Sequence, residues 1–254
     1  FGVSAQYADA KLTQALFNPF TPFTKDGYAE VKGNDWGFGV NLGATYEFDP
    51  DTRVGLSYRS QVKHTLEGDR SISNYIPGRN GTVSAEVDWT APDWAALAAY
   101  KRLNPQWAVM ASVRWTNWST FQNLDLKYAD GSSTLIEEHW EDSWSFNIGV
   151  SYDYTSDWTF RAGYVYDQTP ISSVEFTTPR IPDANRNAFG LGFSYHPDKQ
   201  LSVDFGYMYI DFEDASSDNT INLIPSPAGL ITDTLRVDYS GSGNLVGLQA
   251  SYRF

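Results

Sequence analysis

The sequence predicts an all-β fold, an antiparallel transmembrane β-barrel, and three observations predict it. From Val246 to the last residue every second position is apolar or aromatic: Val246, Leu248, Ala250, Tyr252, Phe254. A final strand that finishes on an exposed aromatic suits a barrel closing at the membrane rim; a soluble sandwich would bury that face in a shared core. Aromatic residues make up 16% of the 254 residues, with 9 Trp and 16 Tyr, which suits girdles at two membrane interfaces. The mean hydropathy is nevertheless negative and no apolar run of helix-spanning length exists, because a barrel wall needs only alternate residues to be apolar. Finally, short and long connections alternate along the chain.

Ten segments show period-2 alternation, at 1–11, 30–48, 53–67, 82–101, 106–127, 134–153, 157–169, 186–196, 200–212 and 232–254. Tight turns with Asp, Asn, Pro and Ser chemistry join alternate pairs, at Asp49-Pro50-Asp51-Thr52, Leu103-Asn104-Pro105, Thr155-Ser156-Asp157 and Pro197-Asp198-Lys199. The remaining connections, 12–29, 68–81, 128–133, 170–185 and 213–231, are longer. With a periplasmic C-terminus, the tight turns are all periplasmic and the long loops all extracellular, the asymmetry of a membrane barrel.

Alternation assigns the faces. Trp158, Phe160, Ala162, Tyr164 and Tyr166 are expected to face lipid, with Arg161, Gly163 and Val165 inside; Phe189, Leu191, Phe193 and Tyr195 outward, with Gly190, Gly192 and Ser194 inside. Leu201, Val203, Phe205, Tyr207 and Tyr209 are likewise outward, against Ser202, Asp204 and Gly206. Two phase slips are expected. The outward set passes from Val83, Ala85, Val87 and Trp89 to Trp94, Ala96, Ala98 and Tyr100 across Ala91-Pro92, where proline removes a ladder donor. A second passes from Leu235, Val237 and Tyr239 to the final set across Gly241-Ser242-Gly243, which predicts a bulge.

Composition excludes several functions. A formal charge of −13 argues against nucleic acid as a partner, because phosphate binding needs a basic surface. The absence of cysteine removes disulfides and thiolate metal sites. His64, His139 and His196 fall on separate segments and give no metal triad or Ser-His pair, and Ser240-Gly241-Ser242-Gly243 lacks the helix that a nucleophile elbow requires. No catalytic residue, cofactor or metal is therefore expected. The acidic run Asp211, Glu213, Asp214 and Asp218 lacks the spacing of a calcium loop and suits a solvated tip.

A set of stretches spread over nearly the whole chain stands out: Asp35-Trp36-Gly37-Phe38-Gly39, Tyr46-Glu47-Phe48, Asp51-Thr52-Arg53, Gly55-Leu56-Ser57-Tyr58-Arg59-Ser60, Trp118-Ser119-Thr120-Phe121, Trp140-Glu141-Asp142-Ser143-Trp144, Trp158-Thr159-Phe160-Arg161-Ala162-Gly163 and Ile181-Pro182-Asp183. In order and spacing they resemble the FadL/TodX family of outer-membrane long-chain fatty-acid transporters. The resemblance implies a 14-stranded barrel with an N-terminal hatch, of which residues 1–254 would be the C-terminal portion, strands five to fourteen, without the hatch. It also implies a passive, ligand-gated uptake channel: a fatty acid or hydrocarbon is captured by extracellular loops, enters the lumen and leaves sideways through the wall. The expected partners are that ligand, outer-membrane lipid with lipopolysaccharide, and the barrel-assembly machinery acting on the C-terminal strand. A general diffusion porin and a barrel lipid hydrolase are the competing functions.

On this strand numbering the family's capture loops fall at 12–29 and 68–81. There Leu16, Phe17, Phe20 and Phe23 form one apolar group and Ile72, Tyr75 and Ile76 another, and exposed apolar clusters mark binding surfaces. A carboxylate ligand calls for cations beside an apolar sleeve. Alternation points Arg59, Arg114 and Arg161 inward, with Lys63 on the same side as Arg59, and Glu47, Asp167 and Asp204 inward too. Glu141 stands where the family pattern leads one to expect lysine.

Overall fold

Extended structure dominates, as the alternation requires. The computed structural model describes residues 1–18, 25–179, 181–226 and 229–253. Its strands are β1 (Gly2–Leu16), β2 (Gly27–Asp49), β3 (Thr52–Arg59), β4 (Val62–Ser73), β5 (Gly81–Ala91), β6 (Trp94–Arg102), β7 (Trp107–Thr116), β8 (Asn123–Tyr128), β9 (Ser133–Glu137), β10 (Ser143–Asp153), β11 (Trp158–Asp167), β12 (Arg186–Tyr195), β13 (Leu201–Ser226) and β14 (Gly229–Tyr252), with a short 3-10 turn at Trp118–Thr120. All pairings are antiparallel in one sheet. Six of the ten expected segments are single strands. The other four are each broken, into β3 and β4, β5 and β6, β7 and β8, and β9 and β10.

The breaks make the sheet branch at β2. Its lower half, Asn41–Asp49, pairs β3, and the wall then runs β3-β6-β7-β10-β11-β12-β13-β14. Its upper half, Tyr28–Asn34, pairs β4 and leads to β5, β8 and β9. β1 lies along the other edge of β2, and β1 and β14 do not pair with each other, so the wall is open on that side. The long connection expected at 213–231 is instead paired structure, because β13 and β14 continue as a hairpin to Ser226 and Gly229. The expected bulge lies on β13, between Phe212 and Ala215, and β14 runs on past Gly241 without a slip. Leu235, Val237 and Tyr239 therefore share the face of Gly241 and Gly243, not the lipid face.

The outer face of the main wall matches the expected band. Trp107 stacks on Tyr152 at 4.5 Å and Trp158 on Tyr195 at 4.5 Å near the short turns, while Trp115 pairs with Trp144 at the other end. From Trp107 to Trp115 is about 26 Å of strand, or about 20 Å of height once the strands tilt by about 40°. Between the girdles Ile148, Leu191 and Leu248 are 61%, 63% and 76% exposed, as side chains solvated by lipid should be.

Facing differs from expectation in β5 and β6. Arg53, Gly55, Ser57 and Arg59 pair with Tyr100, Ala98, Ala96 and Trp94, so these β6 residues face the lumen, and Ala95, Leu97 and Ala99 face out beside Tyr58, Leu56 and Val54. In β5, Ala85 is buried with Leu126 and Tyr128 and, with Val83 and Val87, packs against Leu12 and Val31, the lumen side of β1 and β2. The branch β4-β5-β8-β9 is thus a flap with a protein core of its own. Gly37 and Gly39 make room for it: a Cβ on Gly37 would collide with Val62 and His64. His64 is fully buried there, stacked on Trp89 at 5.5 Å and 3.3 Å from Asp35.

Two results are expected for the flap. At the Gly33–Gly68 pair, a Cβ on Gly68 would fall on the Lys32 carbonyl. Gly68→Ala must separate β4 from β2, and limited proteolysis should then cut at Arg79 while the main wall stays resistant. At the β8–β9 turn, Ser132 donates its hydroxyl and N–H to Asp130, and Arg70 Nη2 reaches it at 2.5 Å while lying over the Tyr128 ring. These contacts hold the Asp130 carboxyl at about 2, below its ordinary value. A carboxyl so depressed contributes to stability above its unfolded value and loses that contribution as pH falls through about 2. Titration of the Asp130 carboxyl followed by NMR should give this midpoint and return toward the ordinary value in Ser132→Ala.

Candidate functional site: the lumen face and its approach

The lumen face is built from the alternate positions that lipid does not see. Across the wall, register sets it in rows. One row is Arg53, Tyr100, Met110, Gly149, Gly163, Gly190, Met208 and Leu245; the row above it, away from the short turns, carries Gly55, Ala98, Ser112, Asn147, Val165, Ala188 and Ile210. Both are free of charge from β6 to β13. Apart from Leu245 and Ile210 they line a groove of about 640 Å³, which also takes in Thr45 and has Arg53 at its β3 end.

Charged rows bound this groove. On the short-turn side, Arg102 reaches Asp153 at 3.2 Å and Thr159 donates to Asp153 at 2.8 Å. Arg161 donates to Ser194 Oγ at 2.6 Å, and Ser194 donates in turn to Asp204, which also accepts from Ser202 at 3.2 Å. On the other side, Arg186 meets Asp167 at 3.2 Å and Asp183 at 3.7 Å. Arg53 lies over the Tyr100 ring at 4.5 Å.

The four cations expected to meet a carboxylate separate on this geometry. Arg161 faces the lumen, but its guanidinium is engaged by the Ser194–Asp204 chain. Lys63 leaves the group: the break at Ser60-Gln61 resets the alternation, so Lys63 lies opposite Val62, His64 and Leu66, on the polar face of the flap with Thr65, Glu67 and Asp88. Arg59 and Arg114 remain. They flank β6 through the pairs Arg59–Trp94 and Arg114–Ala96, about 10 Å apart across the sheet. Both are exposed on the lumen face, and among the described residues no hydrogen bond or ion pair engages either guanidinium.

Behind these arginines the wall divides, and two tryptophan motifs form the hinge. Trp140 is buried, with Phe121 and Trp118 edge-on to it at 5.0 and 4.9 Å. Gln122 Nε2 donates to the carbonyls of Ser119 and Trp140, and Asp142 accepts from Ser119 N and Trp115 Nε1. Burial is the largest single influence on Asp142 and raises its carboxyl, but the hydrogen bonds from Ser119 and Trp115 together outweigh it and hold the group below the usual carboxylate range. His139 takes a left-handed φ of 47° in this corner. Glu141 is exposed and its N–H donates to the Pro170 carbonyl.

The approach from above brings the two expected loops together. Because β2 pairs with both β1 and β4, the ends of these strands lie side by side. Asn18 Nδ2 donates to the Asn74 carbonyl at 2.7 Å, and Asn74 Nδ2 donates to the Asp26 carbonyl at 2.8 Å. Leu16 ends β1 and Phe17 is 44% exposed, whereas Ile72, Tyr75 and Ile76 are half-buried, with the Tyr75 ring against Gly27. Phe20 and Phe23 lie outside the described residues.

Comparison with known proteins agrees with this architecture. Residues 1–254 match the family described as outer membrane protein transport protein (OMPP1/FadL/TodX). The chain is similar to the long-chain fatty acid transport protein of Escherichia coli O6:H1, with 34% identity over 81% of this chain and 48% of that protein. The counterpart in Escherichia coli K12 is 35% identical over 72% of this chain and 43% of that protein. This chain therefore spans about half the length of these relatives. Among solved structures, a Pseudomonas aeruginosa FadL homologue gives a TM-score of 0.82 at 25% identity, covering 98% of this chain and 63% of that one. The Ralstonia pickettii toluene transporter TbuX gives 0.62 at 20% identity, over 98% and 62% of the two chains. The branched wall, its lipid band and its lumen are thus those of a Gram-negative outer-membrane barrel, and the chain belongs to the FadL/TodX family of outer-membrane transport proteins.

Proposed function

We propose that the protein of which this chain is part takes up long-chain fatty acids and related hydrophobic compounds across the outer membrane. The observation that carries the reading is the pair Arg59 and Arg114, unengaged, beside a groove whose wall from β6 to β13 carries no charge. From the Arg114 row to the Met110 row is four residues, about 13 Å, so a carboxylate at the arginines leaves its alkyl chain lying along the groove. A general porin has no use for an apolar groove, and a hydrolase would need a nucleophile and base together. Phe17 with Ile72, Tyr75 and Ile76 supports capture at the joined loops, followed by descent into the lumen and sideways release through the wall. The remaining strands and the hatch are supplied by the rest of the protein. Labelled oleate and toluene, offered to cells lacking other hydrophobic uptake and expressing the full-length protein, test the reading. Oleate uptake above the empty-vector level supports it, and Phe17→Ser combined with Phe20→Ser should lower that uptake. Uptake of neither compound overturns it.

A further inference from the structure

On the lumen face β6 carries an aromatic ring at each end, and each ring stands opposite an arginine of β3. Cross-strand partners hold their Cβ atoms about 4.5–5.5 Å apart, so both pairs are placed to stack. At the short-turn end the pair is closed, with Arg53 over the Tyr100 ring at 4.5 Å. At the other end it is open. Arg59 is the direct partner of Trp94, yet among the described residues no cation–π contact joins them, although tryptophan is the better acceptor of a cation. Arg114 is the partner of Ala96 and therefore the diagonal neighbour of Trp94, at about 7–8 Å, within reach of long side chains. The Trp94 ring is half-buried, and among the described residues no hydrogen bond uses its Nε1–H. The indoles of the nearby hinge differ: Trp115 Nε1 donates to Asp142 at 2.9 Å and Trp140 Nε1 to Glu138 at 3.2 Å. Two guanidiniums and one indole N–H are thus grouped on the lumen face without an acceptor.

We propose that Trp94 completes the head-group site: its Nε1–H donates to the ligand carboxylate held by Arg59 and Arg114, and its ring covers the first methylenes of the chain. This rests on the uptake reading above and adds to it a residue that selects amphipathic acids. Two guanidiniums alone attract any anion. An indole beside them excludes water on one side and offers a donor at its polar tip, which favours an anion attached to an alkyl chain. No carboxylate of the wall competes for the three donors in the register. The row through Arg59 runs from Asn41 to Trp94, Thr116 and Ser143. In the row of Arg114 the acid is Asp167, two strands away beyond Ser145, and Arg186 holds it at 3.2 Å. Below Trp94 on the same face come Ala96 and then Ala98, which lines the groove, so an acid held at the indole runs down β6 over small side chains toward Tyr100.

The test follows labelled oleate and toluene uptake in cells expressing the full-length protein as wild type, Trp94→Phe and Trp94→Tyr, with heat-modifiable electrophoretic mobility reporting folding. Trp94→Phe keeps a ring and loses the donor. It should lower oleate uptake by about tenfold, the factor for one hydrogen bond to a charged group, and leave toluene uptake within about twofold of wild type. Trp94→Tyr returns a donor on a ring and should recover most of that loss. A second readout locates the carboxylate. In α-bromopalmitate the heavy atom adjoins the carboxyl group, so it should quench the tryptophan fluorescence of the purified wild type more than palmitate does. That excess should vanish in Trp94→Phe and in Arg59→Met combined with Arg114→Met. Wild type that takes up neither compound sinks the uptake reading itself. Wild-type oleate uptake that Trp94→Phe leaves unchanged, or lowers equally with toluene, sinks only the role of Trp94. Equal excess quenching in wild type and Trp94→Phe does the same. Misfolding of both Trp94 variants would make the ring a packing residue, and that also overturns the proposal.

Discussion

Replacing Arg59 and Arg114 together by methionine is expected to lower oleate uptake by roughly 10- to 100-fold and to leave toluene uptake within about twofold of wild type. That factor corresponds to the loss of one charge-assisted hydrogen bond to the carboxylate, about 1.5–3 kcal/mol, with 1.4 kcal/mol a factor of ten. Folding should be insensitive to the change, because no partner in the described structure depends on either guanidinium. Methionine keeps most of the length and apolar surface of arginine, so the groove beneath is not widened. The control is Arg161→Met, which breaks the contact with Ser194 and leaves Asp204 uncompensated; it should impair folding or uptake of both compounds alike. Equal loss of oleate and toluene in the Arg59–Arg114 double variant would mean that the pair shapes the lumen and does not read the carboxylate. Unchanged oleate uptake would move the head group elsewhere.

Which features were legible in the sequence depended on chemical contrast between the two faces of each strand. In β11 to β13 aromatic residues alternate with glycine, serine and charge, and every assigned facing holds in the register. In β6 the run Ala95-Ala96-Leu97-Ala98-Ala99 has almost no contrast, so Trp94 and Tyr100 pulled the expected phase toward lipid when both line the lumen. In β5 the period was right but the solvent was not: alternation says that Val83, Ala85 and Val87 are buried, and it does not say whether in lipid or in a protein core. The break at Ser60-Gln61 carries no proline and was invisible, and with it the displacement of Lys63. Pro92 announced a break in the next segment. Arg59 and Arg114 were correctly placed because they precede the breaks on their strands. That they stand unengaged while Arg161 does not is a matter of cross-strand neighbours, which one strand's sequence does not contain.

The hinge should be the most fragile point of the fold. Trp140→Ala is expected to cost about 3–5 kcal/mol, the range for truncating a buried tryptophan, and Trp140→Phe much less because a ring stays in the corner. Three interactions leave with the indole: the edge contacts to Trp118 and Phe121, and the Nε1–H donated to Glu138 at 3.2 Å. The backbone that this packing holds is not regular strand. It turns through the 3-10 segment and the left-handed His139, and Gln122 gives it only a few cross-ties. The loss should therefore stay local, releasing β8 and β9 from β7 and β10 and opening the flap core around Leu126, while the lipid-facing ladder from β10 to β14 persists. Trypsin should then cut at Lys127 in intact cells at concentrations that leave wild type whole, with heat-modifiable mobility unchanged. Trp144→Ala is the comparison, since that ring is 43% exposed and faces lipid from the next strand. If Lys127 stays protected in Trp140→Ala, the flap is held by its own core on Leu12 and Val31. The family-like motifs Trp118-Ser119-Thr120-Phe121 and Trp140-Glu141-Asp142 would then not act as its clamp.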